Sequence, residues 1–251
     1  MISKIEQNAL GHFSYLPKAA GFSVITDDAL TIINCGLGSS MFNIVYGGLD
    51  ALHTDIQQIQ NVIDTFNGQP FAWWVPPSAR SAKLTQKLLE HGFVIEATEH
   101  AMLCDLNVFS DNASLTDLII EHVINPSQLE HFISVLEPYD ATVPSFYEKL
   151  TSQMVNGQEK LYVGYEKDAP VAIGILYFQG DSAGIFSLLT REDKRGLGFG
   201  ARMMTYLMQT AKENGAQYVT LSASSDSGFR IYERLGFKSF GQFECFEWKG
   251  K

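Results

Sequence analysis

The sequence has few cysteines and no long apolar run. Its three cysteines, Cys35, Cys104 and Cys245, form no CxxC pair, which argues against a disulfide framework and a zinc cluster. The longest apolar run, Val171 to Phe178, falls far short of the roughly 18 residues that a membrane span needs. The first ten residues lack a basic segment followed by an apolar stretch. We therefore expect a soluble protein of the reducing cytoplasm, with no metal, no membrane partner and no export signal.

The sequence is also poor in basic residues. Its 18 Lys and Arg stand against 28 Asp and Glu, a formal net charge of −10 at pH 7. Because a general nucleic-acid binder needs a basic face, this balance disfavours nucleic acid as a partner and is compatible with a cationic one. The hydrophobic share of 45% is that of a globular protein, and 251 residues suit one large or two small domains.

Turn-forming residues cluster near the middle of the chain. The stretch from Asn107 to Thr116 lies between the strand-like runs Ala101–Leu106 and Leu118–Val123, and this placement indicates a linker. We therefore predict two domains, residues 1–110 and residues 111–251. The first is a smaller lobe of mixed α/β character.

The second part shows an ordered series of strand and helix patterns. A strand at Leu118–Val123 precedes two helices that begin near prolines, and three strands in an antiparallel meander follow. A Gly-rich turn, a helix over 198–214 with apolar residues at helical spacing, a buried strand, a short helix and one or two strands complete the order. This order predicts an α/β (α+β) fold with a mostly antiparallel sheet flanked by helices.

A weak internal repeat links the two parts. Gly92-Phe93 can be laid on Gly236-Phe237. Each pair follows a short helix and, before it, an apolar strand, Phe71–Val75 in one case and Tyr218–Ala223 in the other. About a dozen strand-like residues follow each pair. The overlay favours an origin of both parts from one unit.

The chemistry of the chain is concentrated where a strand runs into a glycine-rich turn. The stretch Ser187–Ala201 contains three closely spaced glycines and several basic residues. Backbone N–H groups, the positive end of a helix dipole and nearby cations then face one spot, which suits a phosphate or pyrophosphate. The alternative is a tight turn that needs glycine only for its backbone angles.

Two other phosphate-binding motifs fit this stretch less well. A Walker loop needs Lys followed by Ser or Thr after its glycines, and neither follows here. Gly196, Gly198 and Ala201 formally match a dinucleotide fingerprint, but the next strand, Tyr218–Ala223, contains no acidic residue. An antiparallel meander before the turn also argues against that motif.

Two blocks resemble the signatures of one family. Arg195-Gly-Leu-Gly-Phe-Gly200 is similar to the Arg/Gln-x-x-Gly-x-Gly/Ala signature of the GNAT superfamily, the acetyl-CoA-dependent N-acetyltransferases. Within Ser222–Phe237, the residues Tyr232-Glu-Arg-Leu-Gly-Phe237 resemble the family's Tyr-x-x-x-Gly-Phe block. The resemblance covers about residues 118–251. It implies a GNAT-like fold, acetyl-CoA as cofactor and transfer of an acetyl group to a primary amine.

The resemblance also implies a set of cofactor contacts. In the family, the strand before the signature splays from its neighbour and pairs with the pantetheine arm, while amides of the turn hold the pyrophosphate. The residues at these places are Leu188, Leu189, Thr190, Lys194, Arg195, Gly196, Leu197, Gly198, Phe199 and Gly200. Ser225 stands where many relatives have an asparagine in contact with CoA. For Lys194 and Arg195, a solvated basic helix start is the alternative.

The resemblance places Tyr232 nearest the reaction. In the family, the tyrosine of this block protonates the departing thiolate, a role that suits a phenol that stays protonated at neutral pH. Without the matched block, an aromatic side chain packed on the inner face of a short helix is the simpler interpretation. For the base that accepts the amine's proton, water and several residues stay open: Glu121, Glu137, Asp140, Glu244 and His131.

Residues 1–110 resemble a degenerate second copy of the same fold. Pro76-Pro77 follows its strand and cannot donate amide hydrogens to phosphate, and Leu88 stands where the second part has Tyr232. The alternative to an enzyme is a CoA-sensing or peptide-binding module without turnover. The acceptor stays open among a small polyamine, an amino acid, an aminoglycoside and a peptide amine, as does the oligomeric state, monomer or homodimer.

Overall fold

The computed structural model describes residues 1–27, 29–49, 56–109, 117–150 and 157–250 of the chain. The α-helices are α1 (Ile2–Ala19), α2 (Ile56–Thr65), α3 (Ala82–Glu90), α4 (Pro126–Leu136), α5 (Val143–Tyr147), α6 (Phe199–Glu213) and α7 (Asp226–Arg234). The strands are β1 (Ser23–Thr26), β2 (Leu30–Asn34), β3 (Ile44–Gly47), β4 (Phe71–Val75), β5 (Val94–Asp105), β6 (Leu118–His122), β7 (Glu159–Glu166), β8 (Ala169–Gln179), β9 (Ser182–Thr190), β10 (Tyr218–Ala223) and β11 (Lys238–Trp248).

Local sequence explains the helices that surround the site. The Asn125 side chain accepts a hydrogen bond from the Gln128 amide at 2.9 Å, and Pro126 occupies the first turn, so α4 begins where the proline predicts. In α6, Met203, Met204 and Met208 are all buried. The apolar face that the helical spacing of residues 198–214 predicts therefore packs in the core.

The strands form a single sheet within the described residues. Their order is β1-β2-β3-β4-β11-β5-β10-β9-β8-β7-β6. The pairs β3–β4 and β9–β10 are parallel, and the other neighbours are antiparallel. Helices pack against both faces. The predicted class, a mixed and mostly antiparallel sheet flanked by helices, is confirmed.

The centre of the sheet interleaves strands from the two parts of the chain. Strand β11 lies between β4 and β5, and β5 in turn pairs with β10. The series β3-α2-β4-α3-β5 and β9-α6-β10-α7-β11 follow the same order, each with one parallel pair. The glycines of the sequence overlay, Gly92 and Gly236, follow α3 and α7 with φ values of 86° and 94°. The internal repeat is thus visible in three dimensions.

The predicted domain boundary lies outside the described residues. Positions 110–116 contain the boundary, so the division into residues 1–110 and 111–251 stays a prediction. The sequence comparison treated Pro76-Pro77 as the counterpart of the glycine-rich turn, and this comparison was wrong. In the repeat, Pro76 follows β4, the counterpart of β10, whereas the glycine-rich turn follows β9, the counterpart of β3. Most of the chain between β3 and α2, residues 50–55, also lies outside the described residues.

The N-terminal helix α1 packs across strands of the second part, on the face that also carries α4 and α5. The amide of Asn8, which is 0% exposed, donates to Ser182 Oγ at 3.1 Å and to Thr220 Oγ1 at 2.8 Å. Farther along α1, His12 approaches Glu159 of β7. The helix therefore covers the sheet at the point where β9 and β10 meet.

Candidate functional site

Strands β9 and β10 run together for only three residue pairs and then part. The last pair joins Thr220 to Gly184, while β9 continues to Thr190 and β10 continues to Ala223. On its other side β9 stays paired with β8 as far as Thr190. One edge of the β9 main chain is therefore open over residues 185–190. The predicted pantetheine contacts Leu188, Leu189 and Thr190 lie on this stretch.

A bulge bends β9 within the open stretch. The β8–β9 register shifts between Ile173 and Ile175, and Ser187 has a φ of 46°. A residue other than glycine in this left-handed region costs on the order of 1 kcal/mol, and such strain persists where the surroundings impose it, often at ligand sites. The bulge thus bends β9 along its open edge.

The glycine-rich turn after β9 presents unpaired amides. Gly196 and Gly198 have φ values of 79° and 84°, which glycine adopts without steric cost, and Gly198 caps the 15-residue helix α6. The N–H groups of residues 196–201 form no hydrogen bond with any residue that the structure describes. Unpaired N–H groups and the positive end of the helix dipole together attract an anion. The turn therefore fits the diphosphate of a nucleotide cofactor.

The basic side chains of the turn already have protein partners. Lys194 Nζ lies 2.5 Å from Glu166 Oε2. Arg195 donates from Nη2 to the Tyr139 hydroxyl at 2.7 Å. Beside them Leu197 is 53% exposed, whereas Phe199 points into the core. The main chain, and not the Lys194 or Arg195 side chain, is thus the part of the turn that is free to bind an anion.

Helix α7 places Ser225 and Tyr232 beside the end of β10. Ser225 caps the helix, and its Oγ accepts a hydrogen bond from the Gly228 amide at 3.1 Å. The Tyr232 ring is half-buried next to Gly228, 5.9 Å from the Phe237 ring centroid. Burial, and then the charge of Glu99, raises the pKa of the Tyr232 phenol. The phenol therefore stays a proton donor at neutral pH.

Glu99 is a site residue that the sequence did not indicate. It lies on β5, and its carboxylate accepts a hydrogen bond from the Ser222 hydroxyl on β10. Burial raises the pKa of Glu99, although the Ser222 hydrogen bond acts in the opposite direction. The strand pairing of β5 with β10, which no local pattern announces, brings this carboxylate to the site.

Of the residues that sequence analysis left open as bases, the structure places one at the cavity and the others away from it. Asp140 borders the cavity described below; burial acts to raise its pKa, but hydrogen bonds from Ser39 and Thr142 outweigh burial and lower it. The others have partners away from that cavity or are exposed: Glu244 with Arg80 at 2.6 Å, Glu121 with Gln128 at 2.9 Å, His131 with Tyr165 at 3.1 Å, and exposed Glu137.

A cavity of about 510 Å³ lies beneath α1 on the same face of the sheet. Ser187 and Ser222 line it on the two parted strands, so the cavity reaches the opening between β9 and β10. Its walls are largely apolar, with several aromatic rings, and its lining includes the carboxylates of Asp140 and Glu159. A cavity of this size accommodates a small organic molecule.

The part of the chain that the structure describes contains no group of three or more His, Cys, Asp or Glu side chains placed to hold a metal ion. No helix within it has the length and apolar character needed to cross a bilayer.

Solved structures share this fold. A functionally unknown conserved protein from Staphylococcus epidermidis ATCC 12228 has a TM-score of 0.72 at 16% identity, over 92% of this chain and 96% of that one. A GCN5-related N-acetyltransferase from Kribbella flavida has a TM-score of 0.70 at 15% identity, over 100% and 96%. A tandem GNAT protein from the clavulanic acid biosynthesis pathway has 0.54 at 10% identity, over 82% and 74%.

At these identities the structural matches establish the fold alone, and no curated protein matches the chain by sequence. The family described as Acetyltransferase (GNAT) domain matches residues 123–248. This range contains the parted strand β9, the glycine-rich turn, α7 and all of β11. Since the match spans half of the sequence and includes both signature blocks, this chain belongs to the GNAT acetyltransferase family.

Proposed function

We propose that the chain transfers an acetyl group from acetyl-CoA to a primary amine. The observation that carries this proposal is the parting of β9 and β10 beyond Gly184 and Thr220, directly before a turn with unpaired amides. An open strand edge pairs with an extended, amide-bearing ligand, and helix-start amides bind a diphosphate. Coenzyme A has both groups, in this order.

The residues around the opening fit this cofactor. The main chain of Leu188, Leu189 and Thr190 offers hydrogen bonds to a pantetheine arm. The amides from Gly196 to Gly200 would hold the diphosphate, and Ser225 lies at the N-terminus of α7 beside the end of β10. Acetyl-CoA, when bound there, supplies an activated acetyl thioester.

Two protein groups would move protons during transfer. Glu99 accepts a proton from the acceptor's ammonium group through the Ser222 hydroxyl, which lines the cavity and already donates to Glu99, and the neutral amine then attacks the thioester. Ser222 passes its own proton to Glu99 and receives one from the amine, so it ends unchanged. Tyr232 donates its phenolic proton to the leaving thiolate. Burial raises the pKa of both groups, which strengthens Glu99 as a base and keeps Tyr232 protonated.

The first part of the chain contributes to this site. It supplies Glu99, and its helix α1 covers the cavity that would admit the amine. The fold similarity to a tandem GNAT protein supports an origin by duplication. We expect the first copy to shape the acceptor side.

Native mass spectrometry of the purified protein with acetyl-CoA tests the proposal. We expect a complex of one chain with one acetyl-CoA, and acetylated product when a mixture of primary amines is added. Failure to bind acetyl-CoA or CoA at millimolar concentration would overturn the proposal. Binding without transfer to any amine would instead identify a CoA-binding module.

A further inference from the structure

We infer that the cavity beneath α1 selects an amine acceptor whose apolar body carries a second ammonium group, and that Glu159 binds this second group. This inference rests on the proposed function, since the other amine is the one that is acetylated. It assigns a recognition role to a residue that takes no part in the proton transfers above.

Glu159 is a buried carboxylate with one unpaired oxygen. It begins β7, is 0% exposed and lines the cavity. Its Oε2 lies 3.2 Å from His12 Nδ1, whereas Oε1 has no hydrogen-bond partner within the described residues. A buried acceptor without a donor is costly, so natural proteins nearly always satisfy it. A ligand that donates an N–H into the cavity would supply the missing partner.

The charges that line the cavity favour a cation. Its lining residues include two carboxylates, Asp140 and Glu159, and no Lys or Arg. Asp140 already accepts hydrogen bonds from Ser39 and Thr142, so Glu159 is the one of the two with an open oxygen. An anionic group here would meet like charge with no Lys or Arg beside it, and His12 of the lining already faces Glu159, which disfavours acidic acceptors.

Aromatic rings line the cavity on both sides of the parted strands. The Phe186 ring stacks on His12 with centroids 4.0 Å apart. Trp74 lies 5.2 Å from Phe13 and 6.0 Å from Phe243. These rings pack against an apolar spacer, and their faces attract a nearby cation.

The sheet register sets the length of that route. Glu159 pairs with Tyr177, which pairs with Gly184, the last β9 residue before the strands part. Two strand spacings separate Glu159 from Gly184, roughly 10 Å. One amine at the opening and a second ammonium at Glu159 therefore require a rigid or extended spacer of moderate length.

A matched pair of amines tests the inference on the unmodified protein. p-Xylylenediamine and p-methylbenzylamine share one ring and one aminomethyl group, and only the first has a second ammonium. We expect kcat/KM for acetylation to be at least about tenfold higher for the diamine, because a charge-assisted hydrogen bond has that worth. Equal values for the two amines would overturn the inference and leave the proposed function standing.

Variants then assign the preference to one side chain. In Glu159→Gln we expect the two amines to react within about twofold of each other, because the amide has lost the charge that the second ammonium binds. Glu121→Gln is the control, since Glu121 is exposed and bonds to Gln128 away from the cavity. Preference retained in Glu159→Gln would contradict the assignment. If that variant does not fold, the comparison on the unmodified protein decides.

Thermal unfolding without acetyl-CoA separates binding from transfer. We expect p-xylylenediamine to raise the Tm of the protein more than p-methylbenzylamine does, and to lose this advantage in Glu159→Gln. A diamine that raises the Tm while no amine in the mixture is acetylated would support the binding site and refute the proposed function. Equal shifts with both amines would refute the binding site.

Discussion

The Ser222 hydroxyl on β10 donates a hydrogen bond to Oε2 of Glu99 on β5. Ser222 belongs to the part of the chain that matches the acetyltransferase family. Glu99 lies on β5, before the matched residues begin. The bond therefore places a carboxylate of the first part of the chain beside the proposed site in the second. A family match restricted to residues 123–248 does not include this group.

Replacing Glu99 should remove an acid limb from the pH profile. Because burial raises the pKa of Glu99 above its ordinary 4.5, its base form accumulates only at a higher pH, and kcat/KM should rise as the pH passes through that raised value. In Glu99→Gln we expect kcat/KM to fall by about 10²-fold or more and this limb to disappear. Steady-state kinetics across the acid range measure both. A variant that keeps the limb would show that another group titrates.

Removing the Tyr232 hydroxyl should slow transfer without weakening donor binding. In Tyr232→Phe we expect turnover to fall at least about tenfold, since the thiolate then leaves without its proton donor. Calorimetric titration should give an unchanged affinity for CoA. Tyr206→Phe is the control, because Tyr206 lies on α6 and its ring contacts Tyr162. Equal turnover in Tyr232→Phe would remove the phenol from the mechanism.

Glycines at the two ends of α6 offer a matched test of the anion site. Gly198 before the helix and Gly215 after it have φ values of 84° and 89°, so an alanine at either position is strained by on the order of 1 kcal/mol. Both variants should therefore lose similar stability in denaturant unfolding. Gly198→Ala alone should also bind CoA more weakly, because the unpaired amides belong to its turn. Loss of CoA affinity in Gly215→Ala to the same degree would attribute the effect to stability alone.

The cysteines should be unreactive in the folded protein. Burial raises the pKa of the thiols to about 12 for Cys35, about 11 for Cys104 and about 12 for Cys245. A raised thiol pKa leaves almost no thiolate near neutral pH, and the thiolate is the form that attacks iodoacetamide. Mass spectrometry should find no alkylation of the native chain and three adducts after unfolding in urea. Alkylation of any one of them in the native protein would contradict its burial.

The docking of α1 should depend on Asn8. Asn8→Ala removes two buried hydrogen bonds, to Ser182 and Thr220, and should lower the free energy of unfolding by about 1–3 kcal/mol. Lys4→Ala on the same helix should have a smaller effect, because the Lys4–Asp181 pair is partly exposed. Urea unfolding curves measure both. Similar losses would mean that the polar cluster around Asn8 adds little.

Much of the second part could be predicted from the sequence because its signals are local. The proline at the start of α4, the glycines of the turn and the apolar spacing of α6 each act within a few residues, so α4, the turn and α6 lie close to where these patterns place them. The strand β10 was predicted with its observed bounds, Tyr218–Ala223.

Pairings between distant strands could not be predicted in the same way. The alternation of residues in β5 and β11 indicates strands, but it does not say which neighbours they take. The pairing of β5 with β10, which sets Glu99 beside Ser222, therefore has no local signal in the sequence. Glu159 and His12 meet for a similar reason, since one begins β7 and the other lies on a helix 147 positions earlier. Their proximity is a property of the folded chain.

The interleaved order β4-β11-β5-β10 also constrains how the chain is assembled during synthesis. Strand β5 is synthesised early, yet both of its neighbours, β10 and β11, come from the last third of the chain. Strand β4 likewise pairs with β11, which is synthesised much later. The first part therefore leaves the ribosome with unpaired strand edges, which are prone to association with other chains. The sheet is completed only when β11 pairs with both β4 and β5, so strands from the two parts of the chain depend on each other for their hydrogen-bonded neighbours.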